Sequence, residues 1–496
     1  MERLLIRRCA YFTLSAFVCL LTFGNSVWGQ CEIEKLTLHD GVNSDLFGYS
    51  VSISGEFAVV GAYGDNAIGN NSGAAYVYQF DTLSGTWTQQ EILTASDAEP
   101  GQFGDLFGFA VSINGDVVVI GAPADNEACP NSPEFCNSGS AYVFRFDPEL
   151  SQWIEEDKLI ASDTAQGDGF GSALSIDGDV AVIGVPEKNF GEEIAGSAYV
   201  FRKDPKSNEW VEEAILSAFD STTVTGFGRG VAVRGDVAVI VGDSNNKDMV
   251  VYAGSAYVFK YDPKTGLWNE EAKLTTSDAE DYDFFTSVSL SDDLVVIGTI
   301  GDDDWGMNTG AAYVFKYDPK IDLWTEIDKL TASDAQPNDQ LGGSISMSND
   351  LILVGARLED DACPEDPGCD SGSAYLFQYD PKTDSWLEKA KLTASDPGAL
   401  DDFGRSVSIS GNLAIIGSHG DDEIAPSAGA AYTYDLSACL CPADLDGDGS
   451  VNTSDLLALF SQWGPNPQSP ADLNSDGLVN TTDLLILFAN WGPCPK

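Results

Sequence analysis

Apolar and polar residues alternate along most of this chain in short runs. Val51-Ser52-Ile53, Val111-Ser112-Ile113 and Val407-Ser408-Ile409 all have period two, the signature of a strand with one buried face. Each run leads through a tight turn such as Asn114-Gly115 or Asp177-Gly178 into an apolar strand such as Val117 to Ile120. An Asn-Gly or Asp-Gly pair tolerates positive φ at both central positions, so each unit predicts a hairpin. A second hairpin follows. It begins at a Gly-x-Ala-Tyr step, at Gly73, Gly139, Gly196, Gly254, Gly310, Gly372 and Gly429, and passes through turns such as Asp262 to Gly266. It then returns from a tryptophan, at Trp87, Trp153, Trp210, Trp268, Trp324 and Trp386, to a Lys-Leu-Thr-Ala-Ser-Asp ending such as Lys329 to Asp334.

The unit recurs seven times. Its openings, Phe47-Gly48, Phe107-Gly108, Phe170-Gly171, Phe227-Gly228, Phe285-Thr286, Leu341-Gly342 and Phe403-Gly404, are spaced by 60, 63, 57, 58, 56 and 62 residues. Four antiparallel strands per repeat is the pattern of a propeller blade. The seventh unit stops after Ala431-Tyr432-Thr433-Tyr434, while Glu34 to Asp40 reads as an orphan fourth strand. The N-terminal strand is therefore expected to complete the last blade, removing the free sheet edges of an open array. Cys31 would then lie near Cys439 or Cys441, where a disulfide locks the ring. Cys129 with Cys136, and Cys363 with Cys369, fall at one place in the repeat and are each expected to staple a loop.

Strand direction alternates within a blade, so the connections after its second and fourth strands share one face. Long acidic loops gather there: 66–72, 125–138, Asp302-Asp303-Asp304, Asp360-Asp361 and Asp421-Asp422-Glu423. Seven aspartates, Asp40, Asp97, Asp163, Asp220, Asp278, Asp334 and Asp396, begin the connections between blades. Long loops on a rigid scaffold suit ligand binding. The plainer reading is that each Ser-Asp caps its own turn. The repeated Tyr and Trp positions read as packing between blades.

Beyond Cys441 the period changes. Asp444, Asp446, Asp448, Ser450, Asn452 and Asp455 occupy positions 1, 3, 5, 7, 9 and 12 of a calcium loop, with Gly449 at position 6. A second loop starts 28 residues later with Asp472, Asn474, Asp476, Leu478, Asn480 and Asp483. Position 7 ligates through its carbonyl, so Ser450 and Leu478 are equivalent there. Two calcium ions are thus expected, with Asp at position 12 reaching less far than the usual Glu. Each loop runs into one helix, carrying Leu456, Leu457, Leu459, Phe460 and Trp463 or Leu484, Leu485, Leu487, Phe488 and Trp491, and stopped by Gly464-Pro465 or Gly492-Pro493. No helix enters the first loop, so this is not an ordinary EF-hand pair.

Composition narrows the function. The chain has 496 residues, 25 Lys+Arg against 78 Asp+Glu, and a formal net charge of −53, which excludes nucleic acid and anionic membrane as partners. Arg3, Arg7 and Arg8 before an apolar run from Phe12 to Phe23, ending at Val27-Trp28-Gly29, predict a signal peptide over 1–30 and a secreted protein. No later stretch is long enough to span a membrane. There are two histidines, His39 and His419, neither in a nucleophile or zinc motif, so no catalytic residue is assigned.

Phe107-Gly108 with Gly121-Ala122-Pro123, and the looser copies around it, resemble the FG-GAP repeats of integrin-alpha-like propellers. The resemblance implies a seven-bladed β-propeller over 31–438, closed by its N-terminal strand, within a mainly β chain. Calcium-binding blades of that family carry an Asp-x-Asp-x-Asp-Gly loop between the two motifs; here turns such as Asn114-Gly115 replace it. The duplicated loop-helix unit resembles a type I dockerin, a small helical domain over 439–496. That resemblance implies a cohesin-like scaffold as partner, with Thr453, Ser454, Thr481 and Thr482 as recognition hydroxyls, which plain helix capping would equally explain. At the positions where many dockerins are basic, this chain has Phe460-Ser461 and Phe488-Ala489. Together the resemblances imply a secreted, non-enzymatic binding protein with an unknown ligand, protein or polysaccharide, on the propeller loop face. The alternatives are a polysaccharide-degrading enzyme on the same scaffold, since dockerins accompany such enzymes, or a structural cell-surface component.

Overall fold

The computed structural model describes residues 31–39, 41–69, 71–98, 104–126, 136–190, 193–220, 224–244, 252–361, 368–441, 443–445, 450–465, 469, 471–473 and 478–493. Among them, seven four-stranded sheets are arranged as a propeller. The first strand in the chain, β1 (Glu32–Thr37), does not belong to the blade that follows it. It pairs antiparallel with Ala430–Asp435, Lys35 opposite Tyr432 and Leu36 opposite Ala431, and so supplies the outer strand of the seventh blade. The closure read from the orphan strand is what the structure shows. Cys31 and Cys439 form a disulfide across it, bridging 408 residues, so the choice left open between Cys439 and Cys441 falls to Cys439.

The first blade shows why the repeat folds as it does. Its strands β2 (Ser50–Ser54), β3 (Phe57–Ala62), β4 (Ala74–Asp81) and β5 (Thr86–Leu93) pair in sequence order. The two middle strands are covered on both faces by neighbouring blades and read as nearly continuous apolar runs. The outer strand is largely exposed and buries Trp87 near its start and Leu93 at its end. First strands of adjacent blades pack against one another, which puts them around the central channel. Their serines tie the ring together: Ser52 Oγ accepts from Ile113 N at 3.1 Å, Ser112 Oγ from Ile176 N at 3.2 Å, and Ser408 Oγ from Ile53 N at 3.1 Å.

The Phe-Gly step joins blade to blade. Phe107 is fully buried, edge-on to Tyr142 at 5.4 Å between ring centroids. Gly108 has φ +90° and lies so close to the preceding blade that a Cβ there would meet Ala74 O at 2.3 Å. A Cβ on Gly61 would meet Gly108 O at 2.0 Å. Both glycines are required by this contact, not merely permitted.

After the ring, a short helix α1 (Leu436–Leu440) packs Leu436 and Cys439 onto the seventh blade. Two longer helices follow, α2 (Thr453–Ser461) and α3 (Thr481–Ala489). None of the described helices is long and apolar enough to cross a membrane. Cys136, Cys369 and Cys441 are disulfide-bonded. Cys129 and Cys363, the partners expected for the first two, lie outside the described residues.

Candidate metal centre and loop face

The two loop-helix units are copies in three dimensions. Asn452 caps α2 with φ −148° and ψ −157°, and Asn480 caps α3 with φ −147° and ψ −158°. Each Asn side chain accepts from the amide two residues on, Ser454 N at 2.9 Å and Thr482 N at 2.8 Å. The position-12 carboxylates complete both capping boxes. Asp455 accepts from Leu445 N and Asn452 N, and Asp483 from Leu473 N and Asn480 N, all four at 2.7 Å. Each unit is tied to the other: Val451 pairs with Gly492, and Val479 with Gly464. Val451, Leu459, Val479 and Leu487 form a shared, fully buried core.

Charge makes this unit a candidate calcium centre. Asp455 and Asp483 are completely buried and Asp472 nearly so. Between 441 and 495 the sequence holds no Lys, Arg or His, so no local side chain can balance them. Buried carboxylates without a counter-charge are costly, and a hard cation with oxygen ligands is the chemistry that relieves them. Of the twelve expected ligands, Asp444, Ser450, Asn452, Asp455, Asp472, Leu478, Asn480 and Asp483 are described and gather at the two helix N-termini. Asp446, Asp448, Asn474 and Asp476 lie outside the described residues. Thr453, Ser454, Thr481 and Thr482 are exposed, and the capping oxygen comes from the preceding Asn. Beside them stand Leu457, Phe460 and Trp463 on one unit and Leu485, Phe488 and Trp491 on the other, all at least 44% exposed.

On the propeller, the six described aspartates between blades reach across to the next blade; Asp40 lies outside the described residues. Asp334 Oδ1 accepts from Tyr375 OH at 2.8 Å, and its Oδ2 from Lys391 Nζ at 2.7 Å, both residues of the next blade. Asp97 with Tyr142 and Lys158, Asp220 with Tyr257 and Lys273, Asp278 with Tyr313 and Lys329, and Asp396 with Tyr432 and Lys35 repeat the clamp. The first and third blades have Ile92 and Ile215 where the others have this lysine. In the third blade Lys188 stands at the position of Asp125 and reaches Asp163 at 3.1 Å and Asp168 at 2.8 Å. The preceding serines bond across the same gap, as Ser333 Oγ does to Glu388 at 2.8 Å. These lysines are the signal that reading the sequence missed, legible only as a Lys recurring five residues ahead of Asp40, Asp163, Asp278, Asp334 and Asp396.

Two acidic groups on this face have the make-up of metal sites, Asp278 with Asp302 and Asp304, and Glu359 with Asp360 and Asp361. An ammonium already sits at each. Lys329 Nζ lies 2.8, 2.7 and 2.6 Å from the three carboxylates of the first, and Lys391 Nζ lies 3.0 Å from Glu359 and 2.8 Å from Asp361. Burial pulls the Lys329 ammonium down, but the three aspartates outweigh it and hold its pKa above the ordinary value. A further set of buried carboxylates has no lysine within ion-pair distance among the described residues. Burial first, and then neighbouring acids, push Asp283 and Asp401 up to about 6 and Asp339 up to about 7.

With this geometry in hand, family comparison is decisive. The FG-GAP repeat model matches residues 28–78, 87–144, 153–201, 210–259, 268–315, 324–377 and 386–434. The chain belongs to the FG-GAP repeat family. The type I dockerin model matches 442–490, so this FG-GAP protein carries a dockerin, a calcium-binding domain whose partners are cohesins. Among curated proteins, Kelch-like protein 36 of Mus musculus is 27% identical over 194 residues, covering 39% of this chain. The Rattus norvegicus form is 26% identical over the same length. The match spans only 27% of the length of these relatives. Among solved structures, a putative 6-phosphogluconolactonase from Bacteroides fragilis has TM-score 0.44 and 13% identity, covering 71% of this chain and 85% of that one. Saccharomyces cerevisiae Sqt1 has TM-score 0.43 and 11% identity, covering 83% of this chain and 85% of its own.

Proposed function

We propose that this FG-GAP protein is a secreted, non-catalytic adaptor. Its propeller holds a ligand on the loop face, and its calcium-loaded dockerin fastens the ring to a cohesin-bearing scaffold outside the cell. In this reading residues 1–30 are removed on export, 31–438 form the ring and 439–496 the docking unit. Two calcium ions are held, one per loop, by the twelve residues that the spacing assigns.

The observation that carries the proposal is the duplicated exposed face. Thr453, Ser454, Leu457 and Phe460 on one helix are matched by Thr481, Thr482, Leu485 and Phe488 on the other, each ending on an exposed Trp. An isolated domain has no reason to expose two copies of a Leu-Phe-Trp surface, and apolar patches of this kind mark interaction sites. The partner's surface is correspondingly apolar where other dockerins present basic residues.

The test is biolayer interferometry of the full chain against a panel of cohesins, with calcium and after chelation. Calcium-dependent binding is expected. Because the two faces present the same chemistry, Phe460→Ala or Phe488→Ala alone should weaken binding only a few-fold. The double variant should lose about 100-fold or more, as removal of an aromatic anchor does. Binding that survives chelation or the double variant, or no cohesin bound, overturns the reading.

A further inference from the structure

The seven repeats supply their own comparison at the mouth of the channel. Two positions of each blade meet there on the loop face: the residue after Phe-Gly, just before the first strand, and the residue just after the second strand. On the far arc these are Ser172 and Pro186, then Arg229 paired with Asp243 at 3.1 Å, then Ser287 and Ile300, with no aromatic side chain among them. Over blades six, seven, one and two they become Arg357, Arg405, His419, Tyr49, Tyr63 and Phe109.

These side chains form one contiguous cluster. Tyr49 is its centre, with Tyr63 edge-on at 4.6 Å, Phe109 at 5.1 Å and His419 perpendicular at 5.4 Å. The Arg405 guanidinium carbon lies 4.4 Å from the Tyr49 ring centroid, and Arg405 Nη2 donates to Tyr49 OH at 2.6 Å. Arg357 Nη2 donates to Gln340 Oε1 at 3.1 Å, and its Nη1 stands 3.9 Å from Asp402. Asp402 also faces His419 Nε2 at 3.5 Å.

One feature of the cluster asks for a ligand. Every other described arginine has a carboxylate within 4 Å: Arg145, Arg202, Arg229, Arg234 and Arg357. Arg405 has none among the described residues, in a chain with 78 acidic side chains. Burial, reinforced by Arg405 and Arg357, lowers the His419 pKa to about 4, so the neighbouring ring is neutral and adds no positive charge of its own.

We propose that this arc of the channel mouth binds an acidic sugar. Its carboxylate sits on Arg405 and the adjacent Arg357, and its apolar ring face lies against Tyr63 and Phe109. A guanidinium fork is matched to a carboxylate, and aromatic faces to the C–H side of a pyranose. An extended acidic peptide is the poorer fit: the first-strand edge at the channel is already engaged, Val51 N and Ile53 N donating to Ser406 Oγ and Ser408 Oγ of the seventh blade, and Gly48 N is spent on Gly61 O and Tyr49 N on Leu46 O, both at 3.1 Å. The overall charge of −53 also favours a short or sparsely charged ligand over a long polyanion.

The inference rests on the loop face being the ligand face, and calorimetry on the full calcium-loaded chain tests it with trigalacturonate and its fully methyl-esterified form. The ester should bind about 10- to 100-fold more weakly, the worth of charge-assisted hydrogen bonds to one carboxylate. Arg405→Gln should cost trigalacturonate the same factor and leave the ester unchanged, with an unaltered melting temperature. Arg405→Lys, which keeps the charge but not the fork, should fall between. Equal affinity for acid and ester, or undiminished acid binding by Arg405→Gln, as for a sugar bridged by calcium to the acidic loops, overturns the assignment. If trigalacturonate does not bind while another ligand protects the loop-face amides from hydrogen exchange, the acidic sugar is wrong and the adaptor reading stands. If no ligand protects that face, both fall.

Discussion

The ring and the docking unit solve one problem, the buried carboxylate, in opposite ways. In the ring, lysines serve the buried acids of most blades: Lys391 serves Asp334, Glu359 and Asp361 at once, and Lys188 reaches Asp168 in the third blade, where Ile215 replaces the usual donor. In the docking unit Asp455, Asp472 and Asp483 are at least as buried, with no basic residue between 441 and 495. A large closed array buries enough apolar surface to fold alone and can carry internal ion pairs as glue. A unit of about fifty residues buries too little for that, and a bound metal is the expected source of its stability. The same difference predicts a ring that stands without calcium and a docking unit that folds where calcium is present.

The largest test of that contrast is chelation. Removing calcium should melt the docking unit and abolish its cooperative transition in calorimetry, while the ring's transition stays within about 1 °C. A ring that loses stability with the metal would mean its acidic loops hold calcium despite their lysines.

Opening the ring comes next. Reduction of the disulfide, or Cys31→Ser with Cys439→Ser, frees a strand tethered across 408 residues and should cost the ring about 5 kcal/mol, the chain-entropy value for a long loop. Chemical denaturation measures it. A loss under about 1 kcal/mol would show that the hydrogen bonds of β1 alone hold the closure.

Removing one clamp cation should be smaller. Lys391→Met strands three carboxylates around a residue whose side chain is only 7% exposed, and about 3 kcal/mol of stability should go. In the third blade, Lys188→Asp should destabilise similarly, and adding Ile215→Lys should restore much of the loss by rebuilding the clamp of the other blades. Failure of that rescue would mean the lysines are packed for shape and not for charge.

The smallest expected effect is with pH. Asp283, Asp339 and Asp401 have folded pKa values above the ordinary carboxylate value, so the folded state binds their protons more tightly than the unfolded chain. Their stabilising protonation is complete near pH 4 and is lost as pH rises through about 6 to 7. For Asp339, Glu359 and Asp334 act with burial to raise the value and Lys391 opposes them. His419 works the other way, disfavouring the fold as pH falls from 6.5 towards 4. The ring should therefore melt higher at pH 5.5 than at pH 8, and Asp339→Asn should flatten that slope by about a third. A ring more stable at pH 8 would contradict it.

Much of this architecture is legible in the order of residues because the physics involved is local and repeated. Period-two runs, Asn-Gly turns and seven copies of Phe-Gly specify blades, the orphan strand at Glu34 to Asp40 specifies closure, and the loop spacing from Asp444 to Asp455 and from Asp472 to Asp483 specifies the calcium unit. What the order of residues could not reveal is which groups from different blades meet. Asp334 looks like the cap of its own turn until Tyr375 and Lys391, 41 and 57 residues away, are seen to close on it. Cys31 chooses Cys439 over Cys441 because α1 carries Cys439 back onto the seventh blade, whereas Cys441 falls in the core of the next unit. Arg405 and Tyr49 come together from 356 residues apart only because the ring returns to its start. Short-range periodicity fixes each element by itself; charge pairing and the ligand face depend on distances that exist only once the ring has closed.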